Sequence, residues 1–168
     1  MKRLLLVLGA VLLAFGLGAV PAYAGTGNQF CTTSPAVACF NAWNGGPYVN
    51  VYTARGTAHN DFTLGYDSTL GVYYLEYTGG GAWNGQCIGD ASNDSGNYQT
   101  SLDPCPSGSN SGGWGTHFSA NGGCANGGLG FKNIHWNGYI WPVNYSNGSP
   151  FFLNGGNTEF CYVSYPAA

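Results

Sequence analysis

The side chains that most readily act as acids, bases, thiol nucleophiles or metal ligands are seven carboxylates, three histidines and six cysteines. Glycoside hydrolysis requires two carboxylates a few ångströms apart. Glu76, Asp90, Asp103 and Glu159 are available, but no spacing along the chain pairs any two of them. His59, His117 or His135 could serve as a general base, yet no Gly-x-Ser-x-Gly elbow supplies a nucleophile. A lone histidine in a strand or turn is more often a hydrogen-bonded surface residue. The cysteines are Cys31, Cys39, Cys87, Cys105, Cys124 and Cys161, with no CxxC or HxxxH pair to hold zinc. An even set of cysteines in an exported chain reads as three disulfides, with 15 connectivities open. The expectation is a protein that is not an enzyme and uses neither cofactor nor metal.

Export is read from residues 1–24, MKRLLLVLGAVLLAFGLGAVPAYA. Lys2 and Arg3 form a positive head, Leu4 to Val20 an apolar run, and Ala22-Tyr23-Ala24 a small-residue cleavage box. That layout is a secretory signal peptide. Pro21 and the glycines in the run argue against a membrane anchor. A secreted, extracellular chain starting near Gly25 is expected. It retains Arg55 and Lys132 against seven carboxylates, a net charge of −5 with histidine neutral. Two cations cannot neutralise a run of phosphates, so neither nucleic acid nor an anionic membrane is an expected partner.

These side chains must be positioned by strands. Roughly 144 residues follow the leader, enough for a single domain over 25–168. Helical periodicity is absent; short β-branched and aromatic runs recur between Gly, Asn and Pro turns. Twelve such runs are read, among them NQFCTT (28–33), GVYYLEYT (71–78), QCIGDA (86–91), LGFKNIHW (129–136) and YIWPV (139–143). Three stretches start alike, at Cys39-Phe-Asn, Cys87-Ile-Gly-Asp and Phe131-Lys-Asn, spaced by 48 and 44 residues. The first two units also close alike, with Asn60-x-Phe62 and Thr116-x-Phe118. Three units of four strands, roughly 28–78, 79–124 and 125–168, describe an all-β fold of the β-trefoil type, stabilised by disulfides. A β-sandwich would accommodate the same strands without explaining the repeats.

The stretch from Cys87 to Cys105, followed by GGWGTHF, resembles one repeat of the ricin-B-type lectins. In that family a repeat opens with Cys, an aliphatic residue and Asp, passes a Gly/Asn-rich turn, and ends a strand on the partner Cys. Cys87, Ile88 and Asp90 fit the opening, with Gly89 as an extra residue. The detailed match covers residues 86–118, and the closing Gln-x-Trp signature is absent. The resemblance implies a Cys87–Cys105 disulfide and a shallow sugar pocket beneath the hairpin. There Asp90 would accept hydroxyl hydrogen bonds, and Asn97 and Tyr98 would add contacts. Trp114 is a possible stacking ring on position alone. Asn41 and Trp43 form a weaker counterpart in the first repeat. Asn133, beside His135, Trp136 and Tyr139, forms another in the third.

A blander reading stands beside it. Asp90 and Asp94 could serve only as turn formers, and Trp114 only as core. The expected function is a secreted, monomeric carbohydrate-binding protein with a glycan or polysaccharide as partner. The alternative is a secreted protease inhibitor or protein-binding trefoil, presenting a loop around Arg55, with degenerate sugar sites.

Overall fold

A computed structural model describes residues 28–42, 47–54, 58–90, 99–107, 115–122, 124, 127–153 and 160–166. The expected leader at 1–24, Trp43, Arg55, Asn97, Tyr98 and Trp114 lie outside the described residues. Within them the chain runs as thirteen short strands and one 3-10 turn, Ala58–Asn60. Among the described residues no helix is long and apolar enough to cross a membrane.

The strands fall into three units, each a barrel strand, a hairpin and a second barrel strand. The first holds β1 (Asn28–Thr32), β2 (Cys39–Asn41), β3 (Asn50–Tyr52) and β4 (Phe62–Asp67). The second holds β5 (Val72–Tyr77), β6 (Gln86–Asp90), β7 (Thr100–Pro104) and β8 (Phe118–Asn121). The third holds β9 (Leu129–Asn133), β10 (Gly138–Tyr139), β11 (Trp141–Pro142), β12 (Phe151–Phe152) and β13 (Cys161–Pro166). Antiparallel pairing runs β1–β4, β4–β5, β5–β8, β8–β9, β9–β13 and back from β13 to β1, closing a six-stranded barrel. Closure leaves none of these six strands as an open edge. The β2–β3, β6–β7 and β11–β12 hairpins cap the barrel. Bridges Tyr48↔Ser101, Asn50↔Pro150 and Gln99↔Phe152 lock the hairpins to one another. This is a β-trefoil.

The register displays the threefold relation. Asn28 faces Phe62, Tyr73 faces Phe118, and Leu129 faces Tyr162. Phe62, Phe118 and Tyr162 are fully buried, and so, two residues on from the first members, are Phe30, Leu75 and Phe131. Phe40 plugs the barrel from the cap, with its ring 4.7 Å from that of Tyr162 and 4.8 Å from that of Phe151. Each such pair adds about 0.5–1.5 kcal/mol beyond area burial.

Register also corrects the repeat boundaries. β5 pairs with β8 as β1 does with β4, so the first unit closes with β4 rather than at 78. Phe131 occupies the barrel position of Phe30 and Leu75, not the hairpin position of Cys39 and Cys87. The expected strand 129–136 stops at Asn133, because residues 134–137 form a turn with Asn137 at φ 54°. The expected strand 139–143 is divided at Ile140, whose side chain is fully buried.

Three disulfides complete the scaffold: Cys31–Cys39, Cys87–Cys105 and Cys124–Cys161. The second is the pairing that the resemblance implies. It ties the start of β6 to the residue after β7. Such cross-linking belongs to an oxidising compartment.

Candidate functional site

Asp90 ends β6, paired with Thr100 at the start of β7. Its carboxylate accepts the indole N–H of Trp136, 46 residues away in the third unit. Trp136 is half-buried and packs against the core. It stands in the turn after β9, where its backbone N–H donates to Asn133 Oδ1 at 2.8 Å. Asn133 in turn donates through Nδ2 to the carbonyl of Gly115. Gly115 closes the corner at φ +76°, and a Cβ there would lie 3.1 Å from the Asp90 amide nitrogen. Glycine is required on both counts, for the left-handed backbone and for the close approach.

The corner thus joins two units through Asp90, Gly115, Asn133 and Trp136. Asp90 is 1% exposed and Asn133 0%. Sequence reasoning set Asp90 at the rim, gripping hydroxyls; the structure turns its carboxylate inward, onto the indole. The cause is chemical: the acid that ends β6 stands beside a Trp N–H, and the charge-assisted bond between them offsets the cost of burying the carboxylate. What the corner leaves outside is part of Trp136, with His135 and Ile134 exposed beside it. The His135 ring meets that of Trp136 edge-on, centroids 4.5 Å apart.

The corner is also electronegative. Asp103, on β7, has its carboxyl pushed up chiefly by burial. Ser101 Oγ donates to it at 3.1 Å and pulls it back, while the charge of Asp90 raises it further.

The first-repeat counterpart is differently engaged. Asn41, 1% exposed, donates through Nδ2 to Asn60 Oδ1. Asn60 itself donates to the Ala54 carbonyl at 3.0 Å. Asn41 therefore fastens a hairpin to the 3-10 turn before β4 inside the fold, where an outer pocket was expected. Asn60 and Thr116 are both buried two positions before a buried Phe, as their closing role demands. The third closing pair, Phe160-x-Tyr162, was missed because a Phe stands where the others have a polar residue. The Asp90–Trp136 contact was also missed, since only the threefold register brings these positions together.

His59 Nδ1 lies 3.3 Å from the Tyr77 hydroxyl, and Asp61 nearby is pushed up chiefly by burial, against a Gln29 hydrogen bond and the charge of His59. Among the described residues no group of three His, Cys, Asp or Glu is placed to hold a metal ion.

No family model and no curated protein matches the sequence. Solved structures do match in shape. A mosquitocidal holotoxin superposes with a TM-score of 0.62 at 17% identity, over 86% of this chain and 18% of that one. The chain thus spans less than a fifth of the holotoxin's length. ThreeFoil, a designed threefold-symmetric protein, superposes with a TM-score of 0.58 at 14% identity, over 84% of this chain and 98% of that one. At such identities the likeness is one of fold, and the fold that it and the strand register support is the β-trefoil.

Proposed function

We propose that the chain is an exported, monomeric carbohydrate-binding module that holds its ligand without metal, cofactor or bond-making. The observation that carries this reading is the part-exposed Trp136, whose indole N–H is fixed at a junction between units by a buried carboxylate. A sugar ring offers an apolar C–H face and many hydroxyls. A rigid aromatic surface with polar groups around it suits that chemistry. Fixing the ring in advance lowers the ordering cost of binding. Asp90 then acts as a positioning residue, and Trp136 with neighbouring groups meets the guest. The ricin-B-like stretch 86–118 and the leader at 1–24 agree with this assignment.

Affinity electrophoresis through gels containing galactomannan, xylan, β-glucan or chitosan tests it. The mature protein is expected to be retarded by at least one matrix. Trp136→Ala is expected to weaken retention about tenfold, the scale of losing an anchoring aromatic. Asp90→Asn, which keeps an acceptor for the indole, is expected to weaken it less. Migration of the wild type unaltered by every matrix would sink the reading, and inhibition of a trypsin-like protease that is lost in Arg55→Ala would replace it.

A further inference from the structure

The β4–β5 hairpin forms one wall of the barrel and carries a second arrangement of ring and carboxylates. Side chains alternate along each strand. Phe62 and Leu64 on β4, with Leu75 and Tyr77 on β5, belong to the core or pack against it. The opposite face therefore carries Thr63, Gly65 and Asp67 on β4, with Glu76, Tyr74 and Val72 as their direct partners; all are part-exposed except Val72, which is buried. Gly65 faces Tyr74. An ideal Cβ on Gly65 would lie 2.2 Å from Tyr74 Cζ, 2.3 Å from Cε2 and 2.6 Å from the hydroxyl oxygen. The phenol ring thus covers the bare backbone of Gly65 and stays part-exposed.

Covering a strand glycine with an aromatic ring is ordinary sheet chemistry. The bracket around this ring is not required by it. Glu76 stands two residues along β5 on one side, and Asp67 two residues along β4 on the other. From the strand rise the two carboxylate positions are roughly 13 Å apart along the strand axis. Asp67 is held by accepting the backbone N–H groups of Thr69 at 2.8 Å and Leu70 at 3.0 Å. Neither strand carries a lysine or arginine. The Tyr74 phenol is pushed up by burial first and then by Glu76 and Asp67, so both negative charges are felt at the ring.

We propose that this outward hairpin face is a second binding platform, for a neutral saccharide chain. Tyr74 stacks on the C–H face of one sugar ring, and Glu76 and Asp67 accept hydroxyls from either end. The spacing favours a saccharide over a cationic side chain, since the acceptors lie at opposite ends of the platform rather than converging above the ring. It also disfavours sulfated or uronic polymers, which two carboxylates repel. Asp67 and Glu76 are too far apart to share one metal ion. Together with the Trp136 corner, a second platform would make one small domain bivalent toward a polymer, raising its avidity without any new kind of contact.

The test uses the mature chain in the same neutral-polysaccharide gels, with heparin and polylysine gels added. Tyr74→Ala, Tyr74→Phe, Gly65→Ala and Trp136→Ala are compared, each checked for folding by near-UV circular dichroism. Tyr74→Ala and Gly65→Ala are each expected to weaken retention by a neutral polysaccharide about tenfold, whereas Tyr74→Phe keeps most of it. Gly65→Ala is informative because it displaces the ring while leaving the tyrosine in the chain, and it serves alone if Tyr74→Ala does not fold. Wild-type retention in both Tyr74→Ala and Gly65→Ala, with a loss in Trp136→Ala, overturns the hairpin platform and leaves the corner standing. Retention by polylysine and by no neutral polymer assigns the face to a cationic partner instead. Retention by nothing overturns both sites.

Discussion

The Asp90 corner and the Tyr74 hairpin face are built from the same parts, an acid beside an aromatic ring, and use them in opposite ways. At the corner the acid is interior and the ring reaches out from it, tethered by its indole N–H. On the hairpin the ring lies on the backbone and the acids stand at its ends. The difference arises from what surrounds each acid. Asp90 sits where the loop before β8 and the turn after β9 converge, so water is displaced and a fixed donor takes its place. Glu76 and Asp67 sit on a sheet face and both stay part-exposed, Glu76 beside Gly85 at the start of the next hairpin and Asp67 beside its own turn. A motif therefore identifies a position in a fold, and the neighbouring elements decide whether that position faces a guest.

The largest expected effect is at the corner. Asp90→Ala removes the acceptor and leaves the Trp136 N–H without its buried partner. Hydrogen bonds to charged groups contribute about 1.5–3 kcal/mol, and orphaning a buried donor adds to the loss. A fall of about 2–3 kcal/mol in unfolding free energy is expected from urea titration. Asp90→Asn should recover about half, since a neutral acceptor of the same shape remains. Equal stability of wild type and Asp90→Ala would mean that the tether does not hold the corner. Glu76→Gln on the hairpin, tested in parallel, is expected to stay within about 0.5 kcal/mol of wild type, as surface substitutions do.

Two glycines sharpen the contrast at smaller cost. Gly115→Ala must place a side chain at φ +76° with its Cβ 3.1 Å from the Asp90 backbone nitrogen and from Leu153 Cδ1. The left-handed conformation alone costs about 1–2 kcal/mol, and the crowding is against backbone that cannot move aside. At Gly65 the predicted clash is shorter, 2.2 Å, but it is with the end of the flexible Tyr74 side chain. Rotation of the ring relieves it, so Gly65→Ala is expected to cost under about 1 kcal/mol, within the small-to-moderate range of single substitutions. The ordering Gly115→Ala below Gly65→Ala in urea midpoint is the expected result. The reverse ordering would show that the Tyr74 ring is anchored more firmly than a surface platform requires.

Much of this architecture is legible in the residues. Turn-rich spacing and short aromatic runs give the strand class, and the likeness of Cys39-Phe-Asn to Cys87-Ile-Gly-Asp gives the hairpin repeat. The polar residue before Phe62 and Phe118 marks the closing strands. Phe131-Lys-Asn misleads because a barrel strand ending in a turn-forming Asn imitates the hairpin opening. The burial of Asp90 is hidden because its partner is 46 residues away and belongs to another unit. The Tyr74 platform is hidden for a related reason. A lone Gly65 in a strand pattern shows a weak point, but its partner depends on the turn between Asp67 and Val72, which fixes the cross-strand register.

The smallest effect expected is that of pH, and it too separates the corner from the surface. Asp103 and Asp61 both have carboxyls raised from the ordinary value of 3.8, in each case first by burial. A raised native value means that the folded chain binds its protons more tightly than the unfolded one. Stability from these groups is therefore fully present below about pH 3.8 and is lost as pH rises through their higher native values. The urea midpoint is expected to rise modestly as pH is lowered from 7 toward 4.5, helped by relief of a net negative charge. Asp103→Asn should flatten that slope, because it removes the proton that burial and the neighbouring Asp90 retain at the corner. Asp61→Asn should flatten it separately and additively, since Asp61 is raised by its own burial, against Gln29 and His59, and not by Asp90. A slope unchanged in Asp103→Asn would mean that the corner is open enough to water for its charges to be screened, and Asp90 would then be accessible to a guest after all.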